Sequence, residues 1–170
     1  HQKISNTQPN RLACMKLPTS SVASQRALAW KILSDKWDRE PQAPLMWSDD
    51  GSALLCKAED QGRQHVWRFD VASHKVSRVL EGGTVHAFDM AAGRLVSLSD
   101  RAIHPGRIHV QGVDEAGHAA APAPARMESF NDELLKGVDL GATEEHWFKG
   151  AQGDDVQVWL HFPPGFKKDK

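Results

Sequence analysis

The chain has 170 residues, 40% hydrophobic and 25% charged, a balance that places it among globular proteins rather than disordered ones. Its formal net charge of -1 and its scattered Lys and Arg leave no basic stripe of the kind that marks nucleic-acid binding. No apolar run approaches the roughly 20 residues a membrane helix needs, so neither nucleic acid nor membrane is an expected partner.

The opening stretch "HQKISNTQPN" has no apolar signal core and no Met. It leads us to expect a processed or excised piece, and it leaves the compartment open between cytoplasm, periplasm and exterior. Cys14 and Cys56 sit among apolar neighbours, "LACM" and "LLCK", and are expected to be two buried thiols rather than one bridge.

A periodicity runs through these residues. Setting "SNTQPNRLACM", from Ser5, above "WSDDGSALLCK", from Trp47, places Leu12 on Leu54 and Cys14 on Cys56 at a spacing of 42. A third copy, "FDMAAGRLVSL" from Phe88, matches Phe88 to Trp47 and Leu95 to Leu54 at a spacing of 41, with its turn glycine, Gly93, one place late. Val66 pairs with Ile108, again 42 apart. In the clearest copy the strands "PLMWS", "ALLCKA", "HVWRFD" and "VSRVL" alternate with the turns "DDGS", "EDQGR" and "VASHK".

Four short strands in about 42 residues is the size of one β-propeller blade. A plain antiparallel sandwich has strands at similar intervals but no need to repeat in register. The predicted fold class is all-β: an incomplete β-propeller of about three four-stranded antiparallel blades, near residues 4–40, 45–82 and 85–130, together a partial propeller over 1–130. Propellers close with about 4 to 8 blades. Three would leave faces and edges for another part of the protein or a second copy of the chain to cover.

Beyond the third unit, "GHAAAPAPAR" reads as an Ala/Pro loop without a core-forming pattern. "NDELLKG" predicts one helical turn, capped by Asn131 or Asp132 and stopped by Gly137. "EEHWFKG" and "VQVWLHFPPG" then flank "AQGDD" as a hairpin outside the blade register. Residues 131–170 are therefore expected to be a linker and the first hairpin of another domain, with Lys167, Lys168 and Lys170 forming a solvated end.

These motifs carry a resemblance. "WSDDGSALLC" resembles the W-S-P-D-G strand and turn of propeller blades in the prolyl oligopeptidase family of serine peptidases, which includes dipeptidyl and acylaminoacyl peptidases. Asp49 stands where that pattern has Pro, a change a type I turn tolerates. "DKWDRE", Asp35 to Glu40, is similar to a segment of bacterial members, and "EEHWFKGAQGDDVQVWLHFPPGFKKDK" looks like the family's passage from propeller to catalytic domain.

The resemblance implies an α/β-hydrolase domain after "PPGFKKDK", with its nucleophile in a G-x-S-x-G elbow and the Asp and His of the triad following it. No such pentapeptide occurs here: Ser52 falls in a hairpin turn, and Ser97 and Ser99 in a strand-to-loop stretch. No catalytic, cofactor-binding or metal-ligating residue is assigned to this chain, and no cofactor is expected.

His104 and His109, in "HPGRIH", have a spacing a zinc pair can use only with further converging ligands, and read instead as a loop and a strand histidine. His146 and His161 fall on the two hairpin strands, as surface or cross-strand groups. The acid pairs Asp49-Asp50, Glu144-Glu145 and Asp154-Asp155 invite calcium or acid/base chemistry, but the first and last fall in turns, where Asp bonds the backbone. "EGGTV", Glu81 to Val85, is too short for a phosphate cradle. Trp47, Trp67 and Trp147 fall where strands need large buried rings, and Trp30 belongs to a helix or strand, with a stacked binding face as the alternative.

The expected function is that of the non-catalytic portion of a prolyl-oligopeptidase-like serine peptidase. Its propeller would gate the access of peptides to a catalytic domain, and its partners would be the remainder of the peptidase and, for the whole enzyme, a peptide substrate. The alternative is a non-catalytic propeller-type binding or scaffold protein completed by oligomerisation.

Overall fold

The structure is a computed structural model that describes residues 9–15 and 30–167. Most of the first predicted unit lies outside them. What is described of it is an antiparallel pair of short strands, Ala13–Cys14 (β1) and Lys31–Ile32 (β2), with Ala13 opposite Ile32.

Gln42–Trp47 (β3), Ala53–Asp60 (β4), Arg63–Asp70 (β5) and Val76–Leu80 (β6) form an antiparallel meander. Thr84–Ala91 (β7), Arg94–Arg101 (β8), His104–Gly112 (β9) and Ala125–Arg126 (β10) form a second. One parallel pairing, Gln64 with Thr84, links the two meanders. A single helical turn, Asp132–Leu135 (α1), then leads to a separate antiparallel hairpin of Ala142–Lys149 (β11) and Asp155–Phe162 (β12). Among the described residues the regular structure is nearly all strand, with the single turn α1 as helix, and no sheet closes into a barrel.

The turns follow from the residues that make them. Gln61 and Gly62, between β4 and β5, have φ of 54° and 67°, and Ala92 and Gly93, between β7 and β8, have 50° and 70°. Two-residue loops with both φ positive have the twist that flanking strands need. In "WSDDGS", Asp50 Oδ1 accepts bonds from Ser48 Oγ (2.7 Å) and the Ser52 N–H (2.8 Å), while Ser48 Oγ accepts from the Ala53 N–H (2.9 Å). These bonds, the Ser52 N–H foremost, hold the Asp50 carboxyl below its ordinary range. The Asp pair is thus turn chemistry. The next turn works alike, with Asp70 Oδ1 accepting from the N–H and hydroxyl of Ser73.

Alternation decides where the core sits. Opposed residues of an antiparallel ladder share a face, so Leu54 with Phe69, and Cys56 with Trp67, point one way from the second unit, while Leu55 points the other. The first face packs on Leu12 and Leu33 of the first unit. The other face packs Leu55, Val66 and Leu80 against Val85, Phe88 and Leu95 of the third unit. Strand β4 is consequently covered on both sides. In β8 only Leu95, Ser97 and Ser99 are buried, and the outward Val96 and Leu98 are 43% and 40% exposed.

Several expectations need correction. Trp47 and Trp147 are 52% and 48% exposed rather than buried. Trp47 ends the edge strand β3, outside the packing that covers Leu54 and Phe69, and Trp147 lies toward the hairpin tip. Trp67 is partly buried as expected, edge-on to Trp37 at 5.6 Å between centroids. Trp30 is exposed beside β2. The Ala/Pro loop does supply structure: its last two residues, Ala125 and Arg126, form β10, which pairs with β9 as the outer strand of the second meander. His104 opens β9 instead of lying in a loop, because the turn after Arg101 is only two residues long. Ser97 and Ser99 lie inside β8, not at a strand end. Both cysteines are free, Cys56 buried and Cys14 partly so.

Candidate functional site

The connections at one end of the two meanders lie near the terminal hairpin, and an open cleft of about 720 Å³ runs between them. One wall is made by Gly62 and Arg63 after the β4–β5 turn, Gly83 and Thr84 at the entry to β7, and Arg101 at the end of β8; Trp159 and His161 of β12 form the other. Gly83 has φ +74°, and a Cβ there would collide with the Asp100 carbonyl oxygen. "EGGTV" is therefore a place where the connection into β7 comes close to the backbone of β8, consistent with its reading as a turn. Asp100, the acid that lines the cleft, is engaged by His86, at 2.7 Å.

The hairpin is held to the sheet through the β4–β5 turn. The Arg63 guanidinium carbon lies 4.3 Å from the centroid of the Trp159 ring, and its Nη2 lies 3.4 Å from Glu145 Oε2. Gln157 Nε2 donates to the Gln61 carbonyl at 3.0 Å and to Glu145 Oε1 at 3.0 Å, and Trp147 Nε1 donates to the same oxygen at 2.7 Å. The bond from Trp147, then that from Gln157, lowers the Glu145 pKa below the usual value. Ladder pairs Glu145–Trp159 and Trp147–Gln157 place these four side chains on one hairpin face.

The residues singled out in the sequence do not assemble. His109 faces Ser97 across the ladder and its pKa is lowered, first by burial and then by nearby His104, yet Ser97 Oγ makes no hydrogen bond. His161 contacts Thr143 Oγ1 across the hairpin at 2.9 Å, and His146 contacts Glu144 on its own strand at 3.1 Å. Asp155 pairs with Lys149, and Asp154 accepts the turn bond from Gly150 through its carbonyl. No group of three or more metal-ligating side chains forms among the described residues. Ser52 lies in the "DDGS" turn, tied to Asp50.

Sequence reading missed Arg63, Glu145, Gln157 and Trp159 as a group. The bond from Gln157 to Gln61 spans 96 positions, and nothing local to either segment announces it. No helix among the described residues is long and apolar enough to cross a membrane.

No protein-family model matches the chain. It is 22% identical over 126 residues to dipeptidyl-peptidase 5 of Porphyromonas gingivalis, an alignment covering 74% of this chain and 18% of that protein. An acylaminoacyl peptidase solved in complex with Z-Gly-Gly-Phe-chloromethyl ketone superposes with a TM-score of 0.58 at 17% identity, over 82% of this chain and 21% of that one. Acylaminoacyl peptidase from Pyrococcus horikoshii gives 0.54 at 17% identity, over 76% and 19%. The chain spans about a fifth of the lengths of these proteins. In sequence and in fold it resembles a stretch of peptidases of the prolyl oligopeptidase family, as the "WSDDG" turn and the terminal segment implied.

Proposed function

We propose that this chain is the non-catalytic portion of a prolyl-oligopeptidase-like serine peptidase, in which residues 1–130 contribute about three propeller blades and residues 131–170 lead into an α/β-hydrolase domain. The observation that carries this reading is the hairpin β11–β12. It lies outside the blade register, and it packs against the strand ends of the meanders, where it bounds the cleft. A propeller with no second domain has no use for such an element. In this reading the propeller admits short or unfolded peptides by steric exclusion, and hydrolysis proceeds by acyl transfer from a serine of the catalytic domain. Ser97, which faces His109 across the ladder, is not activated by it, since its Oγ is buried and without a hydrogen-bond partner.

A second reading, a binding or scaffold propeller completed by oligomerisation, draws on the outward apolar residues Val96 and Leu98. The coding sequence beyond Lys170 separates the two. A His-Gly-Gly segment followed by G-x-S-x-G supports the peptidase, and further blades support the scaffold. Treatment of this chain with a fluorophosphonate probe should label no serine, and a labelled serine would overturn the assignment of a non-catalytic role.

A further inference from the structure

The hairpin meets the sheet at a small, polar contact, and its composition is unusual for a passive one. Arg63 stacks on Trp159 and pairs with Glu145 at once, a combination that the planar, delocalised guanidinium supports and an ammonium does not. Glu145 is held by two side-chain donors of its own hairpin, Trp147 and Gln157, so it meets Arg63 already oriented. Gly62, with φ +67°, lets the indole come close, since a Cβ there would lie 3.0 Å from Trp159 Nε1.

The other hairpin face, bearing Phe148, Val156, Val158, Leu160 and Phe162, is on the far side of the ladder from these groups. A two-stranded hairpin is marginal in water without such support.

We infer that Arg63 is a positioning residue: it latches the terminal hairpin onto the β4–β5 turn through Trp159 and Glu145, and so sets the width of the cleft between the hairpin and the sheet. The latch does not depend on the peptidase reading. It would orient the same element in a scaffold. Being partly electrostatic and partly exposed, it should loosen with salt, whereas the apolar contact between the meanders should not.

The test is amide hydrogen exchange on the full chain, comparing β11 and β12 with β7 to β9 as an internal reference. Arg63→Ala should speed exchange in the hairpin by about tenfold and leave β7 to β9 within about twofold. Raising salt from about 0.05 to 0.5 M should speed hairpin exchange in the wild type and have little further effect in Arg63→Ala. Arg63→Lys, which keeps the charge and loses the planar fork, should fall between wild type and Arg63→Ala. Hairpin exchange unchanged by Arg63→Ala would overturn the latch. So would an equal rise in β7 to β9, which would make Arg63 a support for the whole sheet.

Discussion

Ser97 provides a prediction with a definite sign. It lies on β8, 2% exposed, between the second and third units, and its hydroxyl has no hydrogen-bond partner. At the equivalent repeat position the first two units carry Cys14 and Cys56, less polar side chains of similar shape. A buried hydroxyl left unsatisfied costs about 1–3 kcal/mol. Removing it, to leave the methyl of Ala, gives up the contacts of one oxygen, a few atom pairs at about 0.1–0.2 kcal/mol each. Ser97→Ala should therefore stabilise the chain by about 1 kcal/mol.

Equilibrium urea unfolding measures this directly, with an unchanged m-value as the condition for reading the midpoint as stability. At this chain length the same change raises Tm by about 2–4 °C. Leu95→Ala, two residues away on the same face, is the control and should lose about 2–5 kcal/mol. If Ser97→Ala lowered the midpoint at constant m, the hydroxyl would have to be satisfied in the folded chain, and the reasoning would fail.

Gly83→Ala should destabilise by more than about 2 kcal/mol in the same assay, since it combines a positive φ with a collision against the Asp100 carbonyl. Stability should fall with pH in two stages, followed by urea midpoints from about pH 8 down to pH 2. Burial, with Arg78 second, lowers the His65 pKa, and His65 Nδ1 accepts the Gly82 N–H; below the ordinary value of 6.5 the unfolded chain therefore takes up a proton that the folded one resists. The N–H and hydroxyl of Ser73 hold Asp70 at about 2, and Arg126 holds Glu128 at about 2, against ordinary values of 3.8 and 4.5. Their contribution is complete above about pH 4.5 and disappears as the pH falls toward about 2. A midpoint flat from neutral to strongly acid pH would contradict both stages. The Cys56 thiol, pushed up to about 12 by burial, should resist iodoacetamide until the sheet opens, while the partly buried Cys14 reacts first.

Between the two meanders the spacing was legible, because packed sheets impose equivalent burial on equivalent positions, whereas Leu12, set against Leu54 in the first copy, shares the core of Leu54 itself. Leu54 and Leu95, 41 apart, are both buried on the face turned to the preceding unit, and Val66 and Ile108 mark the face turned to the following one. The Asp-Gly, Gln-Gly and Ala-Gly turns were legible for a local reason, namely that the φ values they need restrict the residues that can adopt them. Burial of the tryptophans was not legible. Strand position alone does not say whether a face is covered, and Trp47 sits at an edge that the neighbouring packing does not reach. The two-residue strand β10 was hidden in an Ala/Pro stretch because so short a strand shows no alternation. The latch was invisible because it is made of surface residue types drawn from distant segments.

A sheet squeezed from both sides, as β4 is, draws its firmness from neighbours rather than from its own ladder. Such a stack melts like a row of leaning books, from whichever end stands unsupported. The outward surface of the second meander should therefore loosen before the first meander does, and any protein that seats itself there would firm up layers it never touches.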